Sequence, residues 1–222
     1  MGGGIIICAR REDRLQSLAK SFKEQFGTET LPIKCDVSSE SDVVNAVNTA
    51  IEKFGRIDIL LNCAGITAKS NDVTNHTIEQ WKKVINTNLT GTFLMSREVV
   101  KHMKKNNYGK IINVASLGSL MGFSNQVSYI ASKGGVLSFT RALAVELGKY
   151  NITANAIAPG YIMSEITNPN SGGYRYFKSR TVLNSVGQPD DLHGAILLLA
   201  SDASRFLTGT VITVDGGINA NL

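Results

Sequence analysis

Residues 110–160 read KIINVASLGSLMGFSNQVSYIASKGGVLSFTRALAVELGKYNITANAIAPG, and their pattern decides the architecture. The run from Lys110 to Ala115 is short and apolar, as a buried strand is, and Ser116 closes it. A small, helix-permissive segment follows, read as a helix over residues 126–150. A second apolar run, 152–158, ends at the breaker pair Pro159-Gly160. Strand, helix and strand in succession imply parallel strands with the helix packed across them.

Two side chains of this helix carry chemistry. Tyr129 and Lys133 are four residues apart, so they lie one above the other on one face. An ammonium near a phenol favours the phenolate and lowers a pKa that is ordinarily about 10. Tyr129 is therefore expected to give and take a proton near neutral pH. Ser116, at a strand end, can bond the same substrate oxygen. A surface tyrosine beside a solvated lysine is the bland alternative. Asn88 weighs against it, because it interrupts an apolar helical pattern of Trp81, Val84, Ile85, Leu89 and Phe93. A buried amide must be satisfied by something, and a core helix has no need of it.

Working outward, the same alternation continues in both directions. Strands are expected at 5–9, 30–35, 57–63, 110–116, 152–158 and 210–214. Helices are expected at 12–26, 39–54, 77–105, 126–150 and 190–201, with an irregular stretch up to Gly187. Gly27 and Gly55 stop two helices, Ser39 with Asp42 and Thr77 with Gln80 cap two others, and Pro189 sits at a helix start. This order predicts a doubly wound, Rossmann-like parallel sheet in three layers. Ligands bind such sheets at the carboxyl ends of the strands. Arg10, Asp36, Asn62, Ser116 and Pro159 all fall at or just past those ends.

A chain of 222 residues can bury the core of one α/β domain, and residues 1–222 are read as one. No apolar run reaches transmembrane length, and no signal peptide is visible, so a cytoplasmic protein is expected. The three cysteines, Cys8, Cys35 and Cys63, are odd in number and lie in strand-like runs, which suggests reduced thiols. No metal is expected, since His76, His102 and His193 have no ligand spacing. The net charge of +5 is scattered and lacks interleaved aromatics, so no nucleic-acid partner is expected.

With Asn88, Ser116, Tyr129 and Lys133 at these spacings, the chain resembles the short-chain dehydrogenase/reductase family over nearly all its length. The resemblance implies a catalytic tetrad of those four residues and hydride transfer between a nicotinamide cofactor and a carbonyl or secondary alcohol. In that reading Lys133 also bonds the nicotinamide ribose, and Asn88 holds a water linking Lys133 to solvent. Asp36 and Val37 match the family's adenine contact. Asn62-Cys63-Ala64-Gly65 matches N-N-A-G, with Cys63 in place of asparagine. Pro159-Gly160-Tyr161-Ile162-Met163-Ser164 matches P-G-x-I-x-T, so Pro159, Gly160, Ile162 and Ser164 are cofactor candidates beside Tyr129 and Lys133. Where NAD-preferring members carry an acid after the second strand, this chain has Arg10 and Arg11. A guanidinium forks onto a 2′-phosphate, so NADP(H) is favoured and NAD(H) is possible.

The family's T-G-x-x-x-G-x-G turn is not in this sequence. Gly2-Gly3-Gly4 precedes a strand and opens no helix. The chain is thus expected to lack the family's first strand and first helix, about 30 residues of a βαβ unit, and to be N-terminally truncated. The substrate expected is a small carbonyl or alcohol. A sugar acid such as a keto-gluconate is suggested by V-D-G-G-I-N-A near the end and by Tyr174, Tyr176, Phe177, Lys178 and Arg180 in the lid, residues 165–186. The alternative is a 3-oxoacyl-[acyl-carrier-protein] reductase. From another class, a non-catalytic nucleotide-binding or scaffold protein would suit the missing glycine turn. By resemblance the two long helices pair across subunits, implying a homotetramer or homodimer.

Overall fold

The computed structural model describes residues 3–69, 71–164, 167, 170 and 172–221. Part of the lid stretch, and Met1-Gly2 of the expected opening turn, lie outside the described residues. Among the described residues strands and helices alternate. They run β1 (Ile5–Ala9), α1 (Glu12–Phe26), β2 (Thr30–Lys34), α2 (Glu40–Phe54), β3 (Ile59–Asn62), α3 (Ile78–Ile85), α4 (Gly91–Asn106) and β4 (Gly109–Val114). Then come α5 (Val127–Leu147), β5 (Ile152–Pro159), α6 (Gly172–Arg180), α7 (His193–Ala200) and β6 (Val211–Val214).

Every strand pair is parallel, as the alternation requires. The sheet comes in two pieces, β1-β2 and β3-β4-β5-β6, with no pairing between them among the described residues. Leu60, Ile111 and Ala154 face Val99, Val100, Met103 and Leu147 of α4 and α5. Ile112 and Ile157 face the opposite way, onto Leu199 of α7. Successive strand residues alternate between faces, so these two clusters are the two interlayer cores of a three-layer α/β fold.

The two-stranded piece is tied to the rest by α2. Val43 and Ala46 pack with Cys8, Ile33 and Cys35, while Val47 and Ala50 pack with Ile57, Leu60 and Val99. Leu94 and Met95 of α4 join the first cluster and Ile6 of β1 packs on the second; each valine contributes about 1.5–3 kcal/mol when fully buried, so apolar packing carries the join without backbone bonds. Gly4 shows how close the approach is: a Cβ there would lie 2.3 Å from Cε1 of Phe54, at the end of α2. Between the pieces β3 presents an open edge. Leu60 is 7% exposed, but Ile59 and Leu61, on the other face, are 46% and 40% exposed.

Three expected elements differ. The long helix over 77–105 is two helices joined by a π-turn, Asn86–Thr90. The stretch expected to be irregular contains α6. The helix expected over 190–201 begins as a 3₁₀ turn, Pro189–Leu192, before α7. In α6 the ring of Phe177 stacks on Tyr161 at 5.1 Å and meets Phe123 edge-on at 5.2 Å. Packing from distant residues holds this short helix, so its own periodicity carries little signal.

Candidate active site

The rim at the carboxyl ends of the strands collects the reactive groups. Ser116 leaves β4 in an extended conformation, and its Oγ accepts from the Gly118 N–H at 3.1 Å. Ser119 Oγ accepts from the Ser116 N–H at 3.2 Å and donates to the Lys133 carbonyl at 2.9 Å. That hydroxyl ties the loop after β4 to α5. The same ties bring the Ser116 hydroxyl near the Tyr129 phenol, where it opposes the rise that burial imposes on the phenol's pKa.

Asn88 is fully buried in the π-turn. Its Oδ1 accepts from the Ile66 N–H at 2.8 Å, and its Nδ2 donates to the Ile66 carbonyl at 2.9 Å and to Ser132 Oγ at 2.9 Å. Ser132 in turn donates to the Tyr129 carbonyl at 2.7 Å. The amide thus clamps the strand-to-loop exit after β3 onto the helix turn that bears Tyr129. A π-turn is an uncommon insertion that gathers at functional sites, and here it gives the amide its reach. Ser119 and Ser132 do this positioning, yet neither stood out in the sequence. Only the S-x-x-S spacing from Ser116 to Ser119 offered a hint, as a capping pair.

Two expectations about this corner need correction. Lys133 does not lower the Tyr129 pKa. Burial raises the phenol above its ordinary value, and only the Ser116 hydrogen bond opposes that. The Lys133 ammonium donates instead to the Val114 carbonyl at 2.6 Å. Its own pKa falls to about 8, from 10.5, because burial penalises the charge. Second, the side chain of Asn62 does not reach the rim. Its Nδ2 donates to Ser96 Oγ at 3.0 Å and to Asn113 Oδ1 at 2.9 Å, and Asn113 donates to Thr140 Oγ1 at 2.8 Å. This buried polar chain crosses the core from β3 to α5, so Asn62 offers the rim only its backbone.

The other candidates fall at two ends of the rim. Arg10 lies just past β1, its Nη1 3.9 Å from Asp36 Oδ2 past β2. Ser38 donates to the Asp36 carboxylate from its N–H at 3.0 Å and its hydroxyl at 2.7 Å. These bonds hold the Asp36 pKa below the usual carboxylate value, with Arg10 adding to them. Arg11 is the residue before α1 and makes no side-chain cap. Val37 lies against α4: a Cβ at Gly91 would meet its Cγ2 at 2.7 Å. At the other end Pro159 closes β5. A Cβ at Gly160 would lie 2.9 Å from Asp215 Cα, and Ile162 bridges to Gly187. Ser164 is exposed, and its N–H donates to Thr167 Oγ1 at 2.6 Å.

Cys63 and Ala64 are exposed between these ends. A Cβ on Gly65 would lie 3.4 Å from Lys133 Nζ and 3.6 Å from Asn88 Oδ1, so glycine leaves the space over the ammonium clear. The residues present suit both ends of a dinucleotide: a guanidinium and carboxylate for the adenosine half, and a cleared ammonium, a phenol and a hydroxyl for the other. No T-G-x-x-x-G-x-G turn to cradle its pyrophosphate lies in these 222 residues. Chemically, the corner can hold an oxygen atom between Ser116 and Tyr129 and move a proton to or from it.

Over residues 1–219 the chain matches the protein family described as enoyl-(acyl carrier protein) reductase. It is 39% identical over 194 residues to a 3-oxoacyl-[acyl-carrier-protein] reductase of Synechocystis sp., covering 86% of this chain and 77% of that protein. It is 34% identical over 219 residues to the same enzyme of Rickettsia conorii, covering 98% and 87%. Among solved structures, a gluconate 5-dehydrogenase from Burkholderia cenocepacia, in complex with NADP and tartrate, superposes with a TM-score of 0.94. The two are 32% identical, over 100% of this chain and 87% of that one.

Proposed function

Because the chain belongs to the short-chain dehydrogenase/reductase superfamily of NAD(P)-dependent oxidoreductases acting on carbonyl and alcohol groups, we propose that Tyr129 is its proton donor and acceptor. The observation that carries this is the convergence of Ser116, at the end of β4, with Tyr129 and buried Lys133 on α5, tied together through Ser119. The nicotinamide cofactor supplies or accepts the hydride when bound. Ser116 orients the substrate oxygen and stabilises charge developing on it. The Tyr129 phenol gives that oxygen a proton in reduction and takes it back in oxidation. Lys133 would bond the nicotinamide ribose. Asn88 acts through what it holds, keeping Ile66 and Ser132 in place.

NADP(H) is the favoured cofactor, with Arg10 and Arg11 past β1 toward its 2′-phosphate and NAD(H) possible. Asp36, Val37, Cys63, Ala64 and Gly65, with the backbone of Asn62, would line the adenosine side. Pro159, Gly160, Ile162 and Ser164 would line the nicotinamide side. The whole chain is read as one such domain. A strand–turn–helix unit seated between β1 and β3 would pair both open edges, cover Ile59 and Leu61, and bring a phosphate-holding turn. Two copies pairing through α4 and α5, where Phe93 and Val145 are 41% and 87% exposed, would make a homodimer or homotetramer. The free thiols of Cys8, Cys35 and Cys63 suit a reducing, cytoplasmic setting. No helix among the described residues is long and apolar enough to cross a membrane.

For the substrate, α6 has two aspects. Its rings suit an acyl chain, as in a 3-oxoacyl thioester. Lys178 and Arg180 suit an acid such as a keto-gluconate. The test is NADPH and NADH oxidation with a panel of ketones, keto sugar acids and 3-oxoacyl thioesters. Turnover of one class, lost in Tyr129→Phe, supports the proposal. Cofactor binding with no turnover of any class would favour a nucleotide-binding or scaffold role instead.

A further inference from the structure

A chain of buried polar side chains runs beneath the reactive corner: Ser96 on α4, Asn62 on β3, Asn113 on β4 and Thr140 on α5. We infer that Thr140, through Asn113, is a positioning residue: it fixes how far α5 is slid along β4, and with that the placement of Tyr129 and Lys133 opposite Ser116. The consequence for turnover rests on the carbonyl-reduction reading; the placement itself does not.

Three observations carry it. First, Thr140 shares a face of α5 with the reactive residues. Tyr129, Lys133, Val136 and Thr140 follow one another at the three- and four-residue steps that make one stripe along a helix. A helix rises about 1.5 Å per residue, so Thr140 lies about 16 Å along the axis from Tyr129. The helix is continuous between them, and a slip at one end moves the other.

Second, that stripe meets β4 rung by rung. Thr140 Oγ1 accepts from Asn113 Nδ2 at 2.8 Å, Val136 shares an apolar cluster with Ala115, and the Lys133 ammonium donates to the Val114 carbonyl at 2.6 Å. Apolar contact has no direction and tolerates sliding, so the two hydrogen bonds set the axial position. On the proposed reading a nicotinamide ribose would compete for the Lys133 ammonium. The Thr140–Asn113 bond lies in the core and meets no such competitor. Third, this bond can form in one sense only. The Thr140 hydroxyl donates to the Val136 carbonyl at 2.7 Å, so it faces Asn113 as an acceptor. Asn113 Oδ1 accepts from Asn62 Nδ2 at 2.9 Å, which turns its own Nδ2 toward Thr140. A polar chain satisfied in this way within a core specifies one packing arrangement.

The test follows the Lys133 ammonium by NMR in the 222-residue protein labelled with ¹³Cε-lysine, its signal identified by its loss in Lys133→Met. Turnover is read separately, as NADPH oxidation with ethyl acetoacetate, a 3-oxo ester. Thr140→Val keeps the volume and removes the acceptor. The Lys133 titration midpoint should then fall from about 8 by about half a pH unit or more, because a slipped helix loosens the bond that favours the charged form. Under the same substitution kcat should fall by up to about 100-fold with KM little changed. Thr140→Ser keeps the acceptor and drops a methyl group, so it should unfold at a lower temperature yet retain the wild-type midpoint and kcat. Thr140→Cys, a weak acceptor, should lie between the two, and its comparison with Thr140→Ser decides the matter if Thr140→Val does not fold. A midpoint that stays at the wild-type value without the hydroxyl, or that moves as far in Thr140→Ser as in Thr140→Val, would overturn the assignment. If the midpoints move as expected while even the wild type oxidises no NADPH, the reduction reading fails and the positioning role stands.

Discussion

The four-stranded and two-stranded pieces of the sheet differ in how they are held. In β4 and β5 nearly every residue is buried, and the chain Asn62–Asn113–Thr140 runs through the middle with its polar atoms paired. In β1 and β2 no residue is fully buried, and the join to the rest is apolar contact through α2, through Leu94 and Met95 of α4, and from Ile6. The groups expected to do proton chemistry sit on the first piece, fixed from several sides. Those expected to choose the cofactor sit on the second. On the proposed reading the reaction geometry is over-determined, whereas cofactor choice would rest on a few exposed charges at a loosely tied edge.

The sharpest way to break this comparison is at Tyr129. Tyr129→Phe should reduce turnover by about 10²- to 10⁴-fold, the usual share of a general acid or base, while thermal unfolding stays put. Turnover within a few-fold of the parent would remove Tyr129 from the mechanism. Next comes the layer beneath it. Leu60→Ala should destabilise by about 2–5 kcal/mol in urea unfolding, since it empties a filled core position. Asn88→Ala should cost up to about 1–3 kcal/mol for each half-buried Ile66 group left unpaired, and should speed hydrogen exchange at the Ile66 amide. Unchanged exchange there would show that the clamp is dispensable.

On the two-stranded piece, Arg10→Glu should weaken NADPH by about tenfold and leave NADH nearly unaffected, as expected for one charge-assisted contact. Equal losses for both cofactors would mean that Arg10 serves only Asp36. Acid–base behaviour separates the pieces more finely. The folded pKa of Lys133, about 8, lies below the ordinary 10.5. Between those values the unfolded chain holds more protons, so this group's contribution to stability rises with pH. Cys8 and Cys35, pushed up from 9.0 to about 11 and about 12, act in the opposite sense above pH 9. Wild type should therefore gain stability relative to Lys133→Met from pH 8 to 9. A pH-independent difference between the two would show that burial does not strain the ammonium. Smallest of all, Leu61→Ser should change stability by no more than about 0.5 kcal/mol, because its side chain meets no covering layer.

Much of the fold was legible because its signals are local. Ile5–Ala9 and Glu12–Phe26 form over the spans expected, since an apolar β-branched run and a glycine stop need no distant partner to be recognised. Ser39 and Thr77 cap their helices as read. The site was legible where one element carries it, as Tyr129 and Lys133 do on α5. The π-turn at Asn88 was not, because its cause lies at Ile66 and Ser132, distant in sequence. Asn62 looked like a cofactor contact because it opens the match to N-N-A-G at a strand end. Which way its amide points was settled by Ser96 and Asn113, which no spacing relates to it.

By itself the sequence determined the order of strands and helices, the rim on which the reactive residues gather, and the absence of a glycine-rich turn from these residues. Those follow from periodicity, breakers and residue identity, which are properties of neighbours along the chain. Only the tertiary structure decided that Lys133 donates to Val114, that the phenol of Tyr129 is raised and that Asn62 points into the core. Each depends on burial and on partners brought together by packing, and desolvation has no value until a side chain's surroundings are fixed.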